Sequence, residues 1–257
     1  MEDEYVEFIK KIKHKVGVDL SLYKEAQMKR RITTLRDKRG YADFNSYYQA
    51  LTKDPELLDE FVDRLTINVS EFFRNPKRWD VLKETILPKL LENKQSLTIW
   101  SAACSTGEEP YSLAMMLKED FPMVNYQIIA TDLDEVALSK AKQGMYAEQA
   151  LKEVPKHYKL KYFNEINQHY QVDSILKRAI TFKKHNLLAD KYPRNVDLIV
   201  CRNVLIYFTD DAKELIYHNF SEALTDTGVL FVGSTEQIFV PSMYNLSIVD
   251  TFFYQKV

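Results

Sequence analysis

The 257-residue sequence predicts an α/β protein: an all-helical N-terminal segment followed by a mostly parallel sheet with helices on both faces. Three observations give this prediction. Residues 1–92 show helical apolar spacing, and their only glycines, Gly17 and Gly40, fall at expected helix ends. From residue 97 onward, short apolar strands alternate with helices. The chain closes with two short strands that suit an antiparallel hairpin.

Composition and charge exclude several classes of protein. The hydrophobic content of 46% is ample for a core, and a net charge of −2 implies no global attraction to nucleic acid or membrane. No apolar run approaches the ~18–20 residues needed to span a bilayer, and residues 1–13 do not resemble a signal peptide. The two cysteines and five scattered histidines show no metal-ligand spacing. We therefore expect a cytoplasmic monomer without a metal centre.

Five helices are predicted before the sheet. They are a helix ending near Gly17, then Leu22–Arg39, Phe44–Thr52, Leu57–Asn68 and Pro76–Glu92. We expect a helical N-terminal domain at 1–75, a helical linker at 76–94 and a sheet domain at 95–257, with a small β insertion at about 145–180.

The second predicted helix is strongly basic. Residues 21–40 contain seven basic and two acidic residues, a net charge of +5, and Ala26, Met28, Ile32 and Leu35 supply an inner face. The charges either form a solvated face or dock on a negative partner surface, such as a phosphate backbone or an acidic helix. The candidate partner-binding residues are Lys29, Arg30, Arg31, Arg36, Lys38 and Arg39.

The stretch Ile99–Met116 organises the sheet domain. It predicts a buried strand, a turn of small residues at 101–107, and a helix that begins near Glu108, with Pro110 in its first turn. A strand, a turn of small residues and a helix N-terminus form the first unit of a nucleotide-binding sheet.

The turn differs from the dinucleotide-binding motif. Gly107 is its only glycine, and Glu108 and Glu109 follow where a pyrophosphate would be repelled. The ligand is therefore expected to be neutral or cationic, and S-adenosylmethionine, with a sulfonium and an ammonium group, fits. Glu109 is the better candidate to face its positive end. Alternatively, both glutamates only complement the helix dipole.

Asp132 ends the second predicted strand, Tyr126–Thr131, and precedes a helix at Leu133–Lys142. An acid at this strand end commonly accepts hydrogen bonds from a ribose. The alternative is that Asp132 or Asp134 caps the helix.

The remaining elements complete the sheet. In the insertion we expect a helix and loop over Leu151–Tyr162, and short strands at Tyr170–Val172 and Ala179–Lys183. The alternation resumes with a strand at Val196–Cys201, a helix at Ala212–Leu224, a strand at Gly228–Gly233, and a hairpin of Leu246–Val249 and Phe252–Gln255. A terminal antiparallel hairpin is typical of methyltransferases rather than dehydrogenases.

The loops at the predicted carboxyl ends of the strands are rich in amides and acids and poor in general bases. Methyl transfer from a sulfonium to a carboxylate needs no base, because a glutamate with a pKa of about 4.3 is ionised at pH 7. Such an enzyme has to align the groups and manage charge. The loop that carries Tyr207 lacks the prolines of nucleic-acid amino-methyltransferases, which argues against nucleic-acid bases as substrate.

Six motifs resemble the CheR family of chemotaxis receptor methyltransferases: NVSEFFR, SAACSTGEEPYSLAM, ATDLD, HNLL, CRNVLIYF and LFVGSTE. The resemblance covers nearly the whole chain, in order. It implies a Rossmann-like class I methyltransferase sheet with an inserted β subdomain, and transfer of a methyl group from S-adenosylmethionine to glutamate carboxylates on the helical signalling region of chemoreceptors. The basic helix corresponds to the family's receptor-docking helix.

The resemblance also implies site residues. Arg74 and Tyr207 are assigned to the substrate carboxylate and transfer geometry. The implied cofactor contacts are Asn68, Ser70, Arg74, Glu109, Asp132, Asn186, Leu187, Arg202 and Asn203.

The β insertion departs from members of the family that bind a receptor's C-terminal peptide. Those members have a glycine-rich loop there, whereas this chain has no glycine between Gly144 and Gly228, and Asn164–Asp173 looks short. We therefore expect no peptide tether. Two other functions remain open: an RNA methyltransferase whose basic helix contacts phosphates, and an adaptor that senses the cofactor without transferring a methyl group.

Overall fold

The computed structural model describes residues 2–65 and 70–257. The chain divides into two compact units. Unit 1 consists of Met1–Ile67 and Val204–Ile216, and unit 2 consists of Asn68–Asn203 and Tyr217–Val257.

Unit 1 is helical, and its helix ends follow the expected chemistry. Gly17, with φ of +73°, ends the first helix, and the backbone N–H of Gly17 donates to the carbonyl of Lys13 at 2.9 Å. Asp43 caps a later helix by accepting from the N–H of Ser46 at 2.6 Å. The elements are α1 Glu2–Val16, a 3₁₀ turn Leu20–Leu22, α2 Glu25–Lys38, α3 Phe44–Lys53 and α4 Pro55–Leu65.

Aromatic rings fill the core of unit 1. The ring of Phe8 lies 5.2 Å from that of Phe44, 6.1 Å from that of Tyr47 and 5.9 Å from that of Phe61, measured between ring centroids. These rings come from α1, α3 and α4, so one cluster joins three helices.

Val204–Ile216 belongs to unit 1 although it follows strands of unit 2 in sequence. The N–H of Lys24 donates to the carbonyl of Tyr207 at 2.9 Å, and the N–H of Thr209 donates to the carbonyl of Leu22 at 2.9 Å. The rings of Tyr23 and Phe208 meet edge to face at 4.9 Å. The segment is thereby held beside the start of α2.

Unit 2 begins with a helix that changes its winding. The expected helix Pro76–Glu92 is present as α5 Pro76–Val81, a π turn Leu82–Ile86 and α6 Leu87–Leu91. The N–H of Leu87 donates to the carbonyl of Leu82, five residues earlier. The widened turn immediately precedes Pro88, which lacks an N–H and whose ring would clash with a regular helix.

A seven-stranded, mostly parallel sheet forms the centre of unit 2, in the order β6-β2-β1-β7-β8-β10-β9. Only β10 runs antiparallel to its neighbours, β8 and β9, which confirms the expected terminal hairpin. The strands are β1 Ser96–Ala102, β2 Asn125–Asp132, β6 Ile180–Lys184, β7 Val196–Cys201, β8 Leu224–Val232, β9 Leu246–Asp250 and β10 Phe253–Lys256.

Helices connect the parallel strands, as the alternating sequence pattern predicted. Asp134 caps the helix that follows β2 by accepting from the N–H groups of Val136 and Ala137. The connecting helices are α7 Glu108–Asp120, α8 Glu135–Gln143 and α11 Asp210–Ala223.

The insertion forms a separate antiparallel sheet in the order β3-β5-β4. Two of its strands, β3 and β4, were not predicted, because β3 has only three residues and β4 is mostly exposed and polar. The strand expected at Ala179–Lys183 is β6 of the main sheet. The elements are β3 Met145–Ala147, a 3₁₀ turn Glu148–Leu151, α9 Lys156–Tyr162, β4 Phe163–Ile166, β5 His169–Val172 and α10 Ser174–Lys177.

Replacing Phe8 by Ala tests the aromatic core of unit 1. Phe8 is 2% exposed, so the change leaves a cavity, and we expect it to lower the free energy of unfolding by ~3–5 kcal/mol. Denaturant unfolding of the full chain measures this loss. Val6→Ala is the matched control on the same helix, because Val6 is 37% exposed. Equal losses in the two variants would contradict the packing described here.

Candidate functional site

The carboxyl edge of the main sheet gathers most of the predicted cofactor residues that belong to unit 2. β1, β2 and β7 are neighbours and run parallel, so the segments that follow them lie side by side. These segments carry the turn at 103–107, Asp132, and Arg202 with Asn203. Asn186 and Leu187 follow β6 at the end of the sheet next to β2.

The turn after β1 is tightly wound. Ala103, Ser105 and Gly107 all have positive φ, at +62°, +49° and +96°. A Cβ on Gly107 would lie 2.9 Å from the Cβ of Ala141, so glycine is required there. The hydroxyl of Tyr146, from β3 of the insertion, donates to the carbonyl of Thr106 at 2.7 Å. The insertion thus helps to hold the turn, a role that the sequence did not indicate.

Of the two acids that could cap α8, the helix after β2, the cap is Asp134 and not Asp132. Asp132 is 7% exposed, and its carboxylate accepts from the N–H of Ser105 at 2.7 Å and from the N–H of Asp134 at 2.9 Å. Burial raises the pKa of Asp132 to about 6, although these hydrogen bonds favour the charged form. Asp132 therefore holds the turn, and each oxygen keeps acceptor capacity for a ligand hydroxyl.

Glu108 and Glu109 have different surroundings at the start of α7. Glu108 is buried and accepts from the hydroxyls of Thr106 and Ser70, which places the predicted residue Ser70 beside this turn. Glu109 accepts from the hydroxyl of Ser101 at 2.7 Å. Burial raises the pKa of Glu109 to about 7, against the opposing influence of Arg202.

The side chain of Arg202 is hydrogen-bonded to the backbone of Arg74. The guanidinium of Arg202 donates from Nη2 to the backbone carbonyl of Arg74 at 2.7 Å, and the same carbonyl accepts from the indole of Trp79 at 3.0 Å. The guanidinium of Arg202 also lies over the ring of Phe231, 4.7 Å from its centroid. Burial lowers the pKa of Arg202.

Asn186 and Leu187 lie in the turn after β6. The side-chain carbonyl of Asn186 accepts from the N–H of Leu188 at 2.9 Å, and Leu187 is buried. The N–H of His185 donates to the carbonyl of Asp132 at 2.9 Å, which ties this turn to the end of β2. Asn68, also predicted to contact the cofactor, lies outside the described residues.

Asn203 lies in the segment that follows β7. The backbone N–H of Asn203 donates to the carboxylate of Glu236 at 2.7 Å, and Glu236 was not among the predicted site residues. The sequence indicated this contact only weakly. Glu236 belongs to the LFVGSTE motif, but Asn203 is 33 residues away from it.

The carboxyl edge fits a cationic ligand with polar groups. Glu108, Glu109 and Asp132 provide three carboxylates, against the guanidinium groups of Arg74 and Arg202. Among the residues that the structure describes, Nε of Arg202 and Oδ1 of Asn203 are buried without a hydrogen-bond partner. Buried polar atoms ordinarily have partners, so these two provide unused donor and acceptor capacity. The donor set suits S-adenosylmethionine.

A second candidate site is a groove of about 610 Å³ within unit 1. α2, α4 and the Val204–Ile216 segment contribute to it. The part of its lining that the structure describes contains three arginines and no acid, and Arg64 is the arginine that the sequence did not single out. It is lined by Gln27, Arg30, Arg31, Thr34, Leu35, Arg64 and Tyr207.

Arg31 and Tyr207 are held in place within this groove. Nη1 of Arg31 donates to the backbone carbonyl of Leu65 at 2.7 Å, and Tyr207 is fixed by its backbone bond to Lys24. Burial lowers the pKa of Arg31, while the nearby Tyr207 opposes that change. A fixed guanidinium loses less entropy on binding a carboxylate or phosphate.

The other basic residues of α2 are used differently. Lys29 lies over the ring of Tyr5, and Arg36 lies over the ring of Phe44 at 4.7 Å and pairs with Asp37. Arg39 pairs with Glu60. Arg30 and Lys38 are exposed. Some basic residues of this helix therefore contact other residues of unit 1, and others are exposed, so the helix does not carry one uniform charged face.

The expected inner face of α2 is only partly correct. Met28 and Ile32 are buried, but Ala26 is exposed and Leu35 is half-buried and lines the groove. Helical spacing predicts which residues share a face, but not how far neighbouring helices extend over that face.

In the described ranges, no group of three or more His, Cys, Asp or Glu residues could hold a metal ion. No helix in residues 2–65 or 70–257 is long and apolar enough to cross a membrane. Cys104 and Cys201 are buried and form no disulfide with each other, and burial raises the pKa of both thiols.

The parallel sheet with its terminal hairpin and the acidic carboxyl edge define a methyltransferase of the Rossmann-like class that uses S-adenosylmethionine. Residues 3–66 match the family described as CheR methyltransferase, all-alpha domain, and residues 68–252 match CheR methyltransferase, SAM binding domain. The chain belongs to the CheR methyltransferase family, and the resemblance seen in the sequence is confirmed.

Curated relatives extend over nearly the whole chain. The chemotaxis protein methyltransferases of Listeria monocytogenes and Listeria innocua are both 46% identical to it over 257 residues, covering 100% of this chain and 98% of each relative. The chemotaxis protein methyltransferase of Borreliella burgdorferi is 37% identical over 251 residues, covering 92% of this chain and 89% of the relative.

The raised pKa of Glu109 predicts that cofactor binding depends on pH. Its folded pKa of about 7 exceeds the ordinary value of 4.5, so the carboxyl is increasingly protonated below pH 7. A cationic ligand favours the ionised form, and we expect S-adenosylmethionine affinity to fall by up to about tenfold per pH unit below 7. Calorimetric titration between pH 5.5 and 8.5 measures this dependence.

Glu109→Gln provides the control for this prediction. The variant is expected to bind weakly, with little change in affinity between pH 7 and 8.5 and a further fall only near pH 6, where Asp132 becomes protonated. Because burial of the ionised form destabilises the ligand-free protein as pH rises from 4.5 through 7, the variant is expected to have a higher Tm than the original chain at pH 8. An unchanged pH profile in Glu109→Gln would show that another group controls binding.

Proposed function

We propose that the chain is a protein-glutamate O-methyltransferase (EC 2.1.1.80) that acts in the cytoplasm on the helical signalling region of chemoreceptors. It converts glutamate side-chain carboxylates to methyl esters, with S-adenosylhomocysteine as the second product. Its role is in chemotactic adaptation. Family membership supports the reaction class, and the names of the curated relatives support the link to chemotaxis.

The observation that carries the substrate assignment is the groove of unit 1. Three guanidinium groups, with no acid among the described lining residues, favour an anionic partner, and arginine binds carboxylates through paired N–H donors. At about 610 Å³ the groove exceeds a single side chain and suits a stretch of polypeptide. Tyr207, the residue assigned to the substrate carboxylate, lines the same groove.

The chemistry needs few catalytic groups. When bound, S-adenosylmethionine supplies an electrophilic methyl group. The acceptor glutamate is ionised at neutral pH, so the chain does not have to remove a proton. Its residues have to hold the cofactor, align the carboxylate and exclude water.

The residue roles follow from this requirement. We assign cofactor binding to the predicted residues of the carboxyl edge in unit 2, with Glu109 towards the positive end and Asp132 towards a ribose. We assign Arg74 and Tyr207 to the carboxylate that is methylated. Arg30, Arg31 and Arg64 would bind neighbouring acidic side chains of the substrate.

The β insertion is proposed to act without a peptide tether. Its β4–β5 hairpin turns through only Asn167 and Gln168, which have φ of +49° and +64°. A two-residue turn of this kind leaves no glycine-rich loop. Its role on this proposal is to support the cofactor turn through Tyr146.

The proposed activity is tested with radiolabelled S-adenosylmethionine and chemoreceptor-containing membranes. Label is expected to enter receptor protein and to leave as methanol in mild alkali, because carboxyl methyl esters hydrolyse readily. Arg74→Ala is expected to abolish transfer. Alkali-resistant label would indicate N-methylation, label in RNA would indicate an RNA methyltransferase, and no label despite cofactor binding would favour an adaptor.

Substitutions in the groove test the substrate assignment separately. Arg64→Ala is expected to lower kcat/KM for receptor methylation about five- to thirtyfold, mainly through KM, because a charged hydrogen bond to the substrate is lost. The loss should shrink at high salt. Lys38→Ala is the matched control, an exposed cation of α2 outside the groove lining. Equal effects of the two variants would assign the interaction to overall charge instead of the groove.

A further inference from the structure

The turn after β8 contains a buried carboxylate with an unusual bonding pattern. Glu236 is 4% exposed, and its Oε2 accepts from the N–H of Gly233 at 2.8 Å and from the N–H of Asn203 at 2.7 Å. The N–H of Glu236 in turn donates to the carbonyl of Gly233 at 3.0 Å. One carboxylate therefore joins the end of β7 to the end of β8.

Asn203 needs such a restraint. Its φ of +62° lies in the left-handed region, which costs energy for any residue other than glycine, although asparagine tolerates it better than most. In that conformation its Oδ1 is buried, and no described residue donates to it. The conformation thus directs an unused acceptor into the interior at the carboxyl edge of the sheet.

Gly233 allows the carboxylate of Glu236 and the backbone of Asn203 to approach each other closely. A Cβ at this position would collide with Oε2 of Glu236 and lie 2.9 Å from the backbone N of Asn203. Any larger residue would have to displace the carboxylate from Asn203. Gly233 is therefore needed for the close approach and not for a special φ angle.

We propose that Glu236 is a positioning residue for cofactor binding, which holds the backbone of Asn203 so that its side-chain amide meets S-adenosylmethionine. This inference rests on the proposed assignment of Asn203 to the cofactor. Glu236 acts through hydrogen bonding to the backbone of Asn203 and needs no contact with the ligand.

A neighbouring hydrogen bond provides a matched control. The N–H of Ile238, two residues after Glu236, donates to the hydroxyl of Tyr254 at 2.9 Å. Tyr254→Phe removes an acceptor from the same turn without removing the bond to Asn203. A residue that only stabilises the turn would behave like Tyr254, whereas a positioning residue would not.

The test is calorimetric titration of the full chain with S-adenosylmethionine and S-adenosylhomocysteine, with no methyl acceptor present. Glu236→Ala, Glu236→Asp and Gly233→Ala are each expected to weaken binding about ten- to a hundredfold, because the N–H of Asn203 loses a buried acceptor. Glu236→Gln keeps an acceptor oxygen at the same reach, and it should stay within about threefold of the original chain, as should Tyr254→Phe. Thermal unfolding of each variant shows that it is folded.

The outcomes separate this inference from the proposed function. Normal binding by Glu236→Asp and Gly233→Ala would overturn it, and so would equal losses in Tyr254→Phe and Glu236→Ala. A loss in Glu236→Gln as large as in Glu236→Ala would also overturn it, because charge would then matter instead of the hydrogen bond. Since no acceptor is used, a failure of receptor methylation would leave this test unaffected.

Discussion

The carboxyl edge of the sheet depends on carboxylates that bind backbone N–H groups away from water. Asp132 holds the turn after β1, and Glu236 holds the end of β7. In each case the hydrogen bonds reduce the cost of burying the charge, although for Asp132 burial still raises the pKa to about 6. The two acids fix the turn after β1 and the segment after β7, and so give this part of the carboxyl edge a defined shape before any ligand enters.

Glu109 is buried with fewer hydrogen bonds than Asp132. Its one described hydrogen bond, from Ser101, does not offset its burial, and its pKa rises to about 7. A cationic ligand would supply the missing stabilisation. On the proposed function, Asp132 and Glu236 shape the site, and the ionisation of Glu109 couples to the bound ligand.

The basic helix α2 shows why charge along a sequence is hard to interpret. Lys29 and Arg36 lie over aromatic rings of unit 1, where their alkyl stems and charges both contribute to stability. Arg30 and Arg31 instead line the groove. The sequence does not distinguish these two roles, because each role depends on which side chains of the neighbouring helices lie beside the cation.

The sequence predicted regular elements better than long-range contacts. The bounds of β7 are those expected, Val196–Cys201, because a continuous apolar run is typical of a buried parallel strand. Most of the cofactor residues predicted in unit 2 also lie together, because they follow the carboxyl ends of neighbouring strands. Glu236 and Arg64 were missed as site residues, because their roles come from partners far away in sequence. The π turn was missed because helical periodicity hardly changes over one wide turn.

The reactivity of the two buried thiols can report local opening of the carboxyl edge. Cys104 lies in the turn after β1 and Cys201 ends β7, so both are next to the proposed cofactor crevice. A buried thiol with a raised pKa reacts with alkylating reagents only when the surrounding structure opens. The rate of alkylation therefore reports local opening of this edge, and a bound ligand should slow it even where no catalysis occurs.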